Sequence, residues 1–237
     1  MIHPEIETLY KYRRFVTNSI ELIVDNKIWV SGLSNFNDPL EIHFAVKNDA
    51  DLGRVRKYDP ENQVTKDLES LREDILHNLS HKLVLGVFCL SARNDIALMW
   101  SHYTDGHKGF SIGYERSETN SLGKCTPVSY ESIPTLKLSD IYAHSQGNQR
   151  ATDTLCHNLI YNKDPNWKYE RVWRMGFTEQ NTLQELDAPI RSITFGYKMV
   201  LSRRKIIQQL LTDKQTIKYF EAIPSKNSYN IEIIPFD

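Results

Sequence analysis

Cysteine is scarce. The 237 residues hold three, Cys89, Cys125 and Cys156, an odd count with no C-x-x-C spacing, so the chain offers neither a disulfide framework nor a paired-cysteine zinc motif and reads as reduced and intracellular. An excess of one charge is also lacking: 29 Lys and Arg stand against 30 Asp and Glu, a formal net charge of −1. No overall field therefore recruits nucleic acid or an anionic membrane, and any basic site must be local. No stretch approaches the ~20 apolar residues of a membrane span. The opening MIHPEIETLYKYRRF has neither the basic start nor the apolar run of a secretory signal, which makes the cytoplasm the expected address. Internal repeats and Gly/Ser- or Pro-rich linkers are missing too, so the expectation is one domain over 1–237. What is present, 40% hydrophobic and 25% charged residues, suits a globular protein. A chain of this size buries roughly 70% of its extended surface without needing staples.

Hydrophobic patterning predicts strands at Tyr10–Phe15, at the IWVS segment, over the nearly continuous apolar run Leu83–Leu90 and at Gly109–Tyr114. Later strands are expected at Val172–Phe177, Tyr197–Leu201, Ile217–Ala222 and Tyr229–Ile234. Helices are expected near Asn18–Asp25, over Gln149–Tyr161, and over Ser202–Leu211 with Ser202 as N-cap. A long helix is expected between Asn62 and Leu83, where Val64, Leu68, Leu71, Ile75, Leu79 and Leu83 form one stripe. Strands outnumber helices and do not alternate strictly with them, which favours an α+β fold over a doubly wound sheet.

Several short motifs dissolve on inspection. Gly109-Phe110-Ser111-Ile112-Gly113 matches G-x-S-x-G, but the alternation runs on through Tyr114 and no helix pattern follows, so a strand with closely packed glycines is the better reading. His77 and His81 have metal-ligand spacing, yet position 78 is Asn78 and no third ligand is evident. Arg203-Arg204-Lys205 reads as a solvated helix face.

Two segments carry more chemistry than a core requires. LSARNDIALMWSHYTDGHKG places Trp100, His102, Tyr103, His107 and Lys108 after a buried strand, as in a loop that walls a ligand. A packed loop that merely buries its rings has the same composition. NWKYERVWRM sets Glu170 among Lys168, Arg171 and Arg174 between Trp167 and Trp173. If that segment is a strand, Glu170, Val172 and Arg174 share a face, and the carboxylate serves as a general base or as half of a structural ion pair.

The order LYKYRRF, IWVSGLSNFNDPLE, FCLSARNDIALMWSHYTDGHKGFSIGY, WKYERVWRM closely resembles the bacterial family catalogued as domain of unknown function 2971, over a core of about 8–180. The stretch 190–237 carries fewer of its marks. In layout the chain is also similar to ADP-ribosyltransferase domains: an early strand with a basic residue among aromatics, a short helix and strand, a central strand leading to a Ser or Tyr segment, and a late Glu. That second resemblance implies a split, mostly antiparallel sheet with flanking helices and an enzyme that consumes NAD as co-substrate, acting as a toxin or in phage defence. It implies Glu170 as the catalytic carboxylate, with Ser101, His102 and Tyr103 shaping the nicotinamide side. NAD would be held by Tyr12, Arg13, Ser31, Asn37, Ser91, Trp100, Ser101, Lys108 and Arg174, with no metal required. The acceptor would be a macromolecule, nucleic acid or protein. The alternative is a non-enzymatic module that binds a nucleotide or a nucleic-acid end, with Arg13, Arg14, Lys108, Arg171 and Arg174 on phosphate. A third possibility is a metal-dependent nuclease using Asp38, Glu41 and histidines.

Overall fold

The computed structural model describes residues 2–38, 40–41, 43–47, 49, 86–214 and 216–236. The helix expected over Asn62–Leu83, with His77 and His81, and the first three residues of the Leu83–Leu90 strand lie outside the described residues.

In chain order the elements are β1 (Thr8–Arg13), α1 (Thr17–Asp25), β2 (Lys27–Gly32), β3 (Ala45–Lys47), β4 (Gly86–Ser91), α2 (Ala97–Tyr103), β5 (Phe110–Glu115), β6 (Thr126–Pro127) and β7 (Thr135–Lys137). After these come α3 (Leu138–Ser145), α4 (Gln149–Ile160), β8 (Val172–Phe177), β9 (Thr182–Glu185), β10 (Ile190–Gly196), α5 (Leu201–Leu210), β11 (Lys218–Pro224) and β12 (Ile231–Pro235). The architecture is α+β, with an open sheet ordered β12-β11-β10-β5-β1-β4-β2-β9 and with β8 and β6 branching from β4. All its pairings are antiparallel except β10 with β11.

The way this sheet is joined positions everything that follows. β1 pairs with β5 along its whole length, and β4 pairs with β8 along its whole length. β1 and β4 themselves meet only at Tyr10 and Ser91. β2 takes up the same edge of β4 further along, at Val87 and Gly86. Between these two joins Phe88, Cys89 and Leu90 have no strand neighbour on that edge among the described residues, and a slit opens there.

Alternation along the strands divides the faces. Leu9, Ile28, Val30, Phe88, Leu90, Ile112 and Ile193 bury into the main core beside Ile23 of α1. On the other face Tyr12, Met99, Trp100, Ala222 and Ile231 form a smaller cluster. A third cluster joins Leu155 and Leu159 of α4 to Ile141 of α3, Leu136 and Phe44.

Four expectations are corrected. Tyr197–Leu201 is not a strand: residues 197–200 turn the chain and Leu201 opens α5, Met199 N–H returns to the Gly196 carbonyl, and Arg204 Nε holds the Met199 carbonyl at 2.8 Å. Ser202 lies inside α5, whose N-cap is Val200. Arg204 is no solvated residue, since it is buried and paired with Glu221 at 2.7 Å, while Arg203 and Lys205 are exposed. WKYERVWRM is not a continuous strand: Pro165–Glu170 is a 3-10 turn capped by Asp164, and Arg171, at φ 50°, reverses the chain before β8 begins. Five strands were illegible in sequence, the short β3, β6 and β7, then β9 and the central β10, the last with Ile193–Gly196 buried on both faces.

The G-x-S-x-G segment is strand β5. A Cβ on Gly109 would strike the Arg13 carbonyl, and one on Gly113 the Ser192 hydroxyl. Since the obstacle at Gly109 is backbone, Gly109→Ala is expected to displace the end of β1 and cost about 1–3 kcal/mol. Denaturant unfolding measures this directly, and an unchanged midpoint would contradict the packing described.

Candidate functional site

The slit between β1 and β4 deepens into a cavity of about 370 Å³, lined by parts of β1, β2, β4, α2, the Asn35–Asn37 turn and the 3-10 turn ahead of β8. Glu170, 2% exposed, sits in its wall. The reversal at Arg171 turns Glu170 inward, and Ser91 Oγ fixes that turn by donating to the Glu170 carbonyl at 2.7 Å. Tyr103 Oη, from the last residue of α2, donates to Glu170 Oε1 at 2.7 Å. Burial, and then the Glu170 charge and this hydrogen bond, raise the Tyr103 phenol far above its ordinary range, so it stays protonated and acts as donor.

Glu170 Oε2 faces Lys163 Nζ at 3.3 Å. Lys163 also donates to Glu41 Oε2 at 2.9 Å and lies over the Trp167 ring. Glu41 Oε1 accepts in turn from Arg174, whose Nη1 donates to the Ile160 carbonyl at 2.5 Å. Charges thus alternate along Arg174, Glu41, Lys163 and Glu170, with side chains between 1% and 6% exposed. A chain this buried persists only because every charge has an opposite neighbour. Among the described residues Arg174 Nε, in the cavity wall, has no hydrogen-bond partner. Among the lining residues Lys11, Arg14, Lys163 and Arg174 outnumber the two carboxylates, so the pocket favours an anion.

The cavity gathers eight of the residues expected from sequence: Tyr12, Ser31, Asn37, Ser91, His102, Tyr103, Glu170 and Arg174. His102 is exposed at the rim, and Asn37 Nδ2 reaches Tyr103 Oη at 3.5 Å. The other four fall elsewhere. Trp100 is 0% exposed, donates its indole N–H to the Asn94 carbonyl at 2.6 Å and packs edge-on to Tyr12, so it is core and offers no face to a ligand. Ser101 points to solvent on α2, one residue out of phase with the lining face. Lys108 is exposed and paired with Asp105 at 3.6 Å. Arg13 faces a different cavity, of about 520 Å³, against Leu22, Asp25 and Trp29. That second cavity is the larger, but it collects no buried carboxylate. The β1-side guanidinium at the site is Arg14, whose position one residue later reverses the alternation.

Sequence reasoning missed Lys163 and Lys11, and it placed Glu41 only in a metal site. Glu41 is instead engaged by two cations, which removes it as the nuclease ligand. No spacing rule could have found the pairing, because Lys163 lies 122 residues from Glu41.

Removing Glu41 would leave Lys163 and Arg174 buried without their shared partner. Glu41→Ala is therefore expected to cost about 3–5 kcal/mol of unfolding free energy. A loss below about 1 kcal/mol, the range of an exposed pair, would contradict the buried network.

No curated protein and no solved structure matches the chain. Residues 99–175, which include Tyr103, Lys163, Glu170 and Arg174, match the model of the family described as protein of unknown function (DUF2971), the family that the motif order resembles.

Proposed function

We propose that the cavity binds NAD and that the chain is an ADP-ribosyltransferase-like enzyme, transferring ADP-ribose to a macromolecule or to water. The observation that carries this reading is a buried carboxylate, Glu170, held by Tyr103 and Lys163 where the two halves of the sheet part. At about 370 Å³ the cavity is at the lower end of the usual range for ligand pockets, a size suited to the nicotinamide-ribose half, with the remainder of NAD across the mouth. Tyr10, Phe36 and Tyr103 supply flat surface for the nicotinamide ring. Arg14 and the unpaired Nε–H of Arg174 supply donors for pyrophosphate.

Loss of nicotinamide spreads positive charge over the ribose ring. A fixed carboxylate beside the ring stabilises that charge more than it stabilises the neutral ground state, which is how it accelerates the step. Tyr103 and Lys163 each occupy one Glu170 oxygen and prevent it from turning away, while the second lone pair of each oxygen remains for a ribose hydroxyl. The same carboxylate can then accept the proton of an incoming hydroxyl.

Incubation of the protein with NAD and cell lysate, following free nicotinamide, tests the reading. Wild type is expected to release nicotinamide, and Glu170→Gln to lose on the order of 100-fold or more in rate while still folded. Equal rates would remove Glu170 from the chemistry. Absence of release, with nucleotide binding that weakens steeply as salt rises, would replace the enzyme by a binding module.

A further inference from the structure

We infer that Lys11 is a nucleophilic amine, placed in the slit to form an imine with an aldehyde or ketone that carries a phosphate.

Lys11 lies on β1 next to the one residue that joins the half-sheets, and its side chain crosses the gap to β4. There Nζ donates to the Cys89 carbonyl at 2.7 Å and sits 5.0 Å from the centre of the Phe88 ring. Among the described residues no carboxylate lies within ion-pair distance of it. An amine that lines a ligand cavity, rests on an aromatic ring and accepts no salt bridge has lost the solvation and the counter-charge that keep surface lysines inert. Burial, reinforced by the Arg13 charge on the same strand, brings the ammonium down to about 8, although Cys89 and Glu170 act in the opposite direction. Those three are the charged or titratable groups that act on it. The neighbouring Arg14, Lys163 and Arg174 define the ligand's other end, since a phosphate answers the excess of cations.

The chemistry balances without a further reactant. The ammonium gives a proton to solvent, and the freed lone pair attacks the carbonyl carbon while the C=O π electrons move to oxygen, which takes up a proton. The nitrogen of the resulting carbinolamine, still bearing two protons, gives one to the hydroxyl, which leaves as water while the nitrogen electrons form the C=N bond of a protonated imine. This inference rests on the cavity and on the position of the amine, not on NAD being the natural ligand.

Pyridoxal 5′-phosphate is a suitable probe, being an aldehyde with a phosphate. The full chain is treated with it, reduced with borohydride and digested, and the labelled lysines are identified by mass spectrometry. Lys11 is expected to label on the order of 10-fold faster near neutral pH than exposed Lys205, because an amine brought down to about 8 holds roughly 100-fold more neutral form than an alkylamine at the ordinary lysine value, and its lower basicity returns part of that gain. Its labelling rate is expected to rise through a midpoint near 8 and to fall in excess inorganic phosphate. Lys11→Arg, which keeps the charge, is expected to remove the fast phase of imine formation and leave the slow phase of the surface lysines, with a melting curve confirming the fold. Label spread over surface lysines with Lys11 unmodified, or Lys11 labelled no faster than Lys205, would overturn the inference. Labelling at Lys11 without nicotinamide release would sustain it while removing the NAD reading, and the converse would do the reverse.

Discussion

A backbone carbonyl in the middle of a sheet has to be satisfied, and at Cys89 no strand among the described residues does it. β1 and β4 touch at one register pair and then part, so the edge of β4 needs a partner from elsewhere. Lys11 provides one by reaching across. Leaving a buried carbonyl unmet costs about 1–3 kcal/mol, so the amine is drawn into the slit by the fold itself. The cavity and the proximity of α2 to the 3-10 turn follow from that parting.

Charge is the second organising feature. Lys163, Glu170 and Arg174 come from one stretch of the chain, Glu41 reaches them from more than a hundred residues away, and Tyr103 ends the series. An apolar core of the same volume would be as stable or more so, hence such a series is better understood as a way to fix geometry than as a source of stability. What it fixes is the direction of one carboxylate. Ser91, from the only residue of β4 that pairs with β1, secures the backbone of that same residue, so the join of the sheet and the aim of Glu170 are mechanically one feature.

Local signals were read correctly where one physical rule dominated. Strand alternation located β1, β5 and β8, and amphipathic spacing located α1 and α4. The reading erred where tertiary contacts override composition. MWSHY looked like a loop because its rings and hydroxyls are polar-aromatic, yet it is helix α2 with Trp100 wholly inside. The sequence NWKYERVWRM alternates well enough for a strand, but Pro165 and the Asp164 cap start a 3-10 turn that only Arg171 ends. Among the site residues, those on the cavity face of a recognised strand or turn were legible, as with Tyr12, Ser91 and Arg174. Arg13 was chosen over Arg14 because the resemblance puts the basic residue among the aromatics of the first strand, whereas the residue that lines the cavity is Arg14, just past the end of β1. Lys163 gave no signal, for its role exists only once Glu41 and Glu170 flank it.

Glu170, Tyr103 and the slit are claimed to be one ligand site. Amide chemical-shift mapping with a non-cleavable NAD analogue addresses that claim most directly. The account predicts saturable shifts concentrated at Cys89, Ser91, Tyr103 and Glu170. Shifts confined to the Arg13 cavity between α1 and β2, or none at saturating analogue, would contradict it.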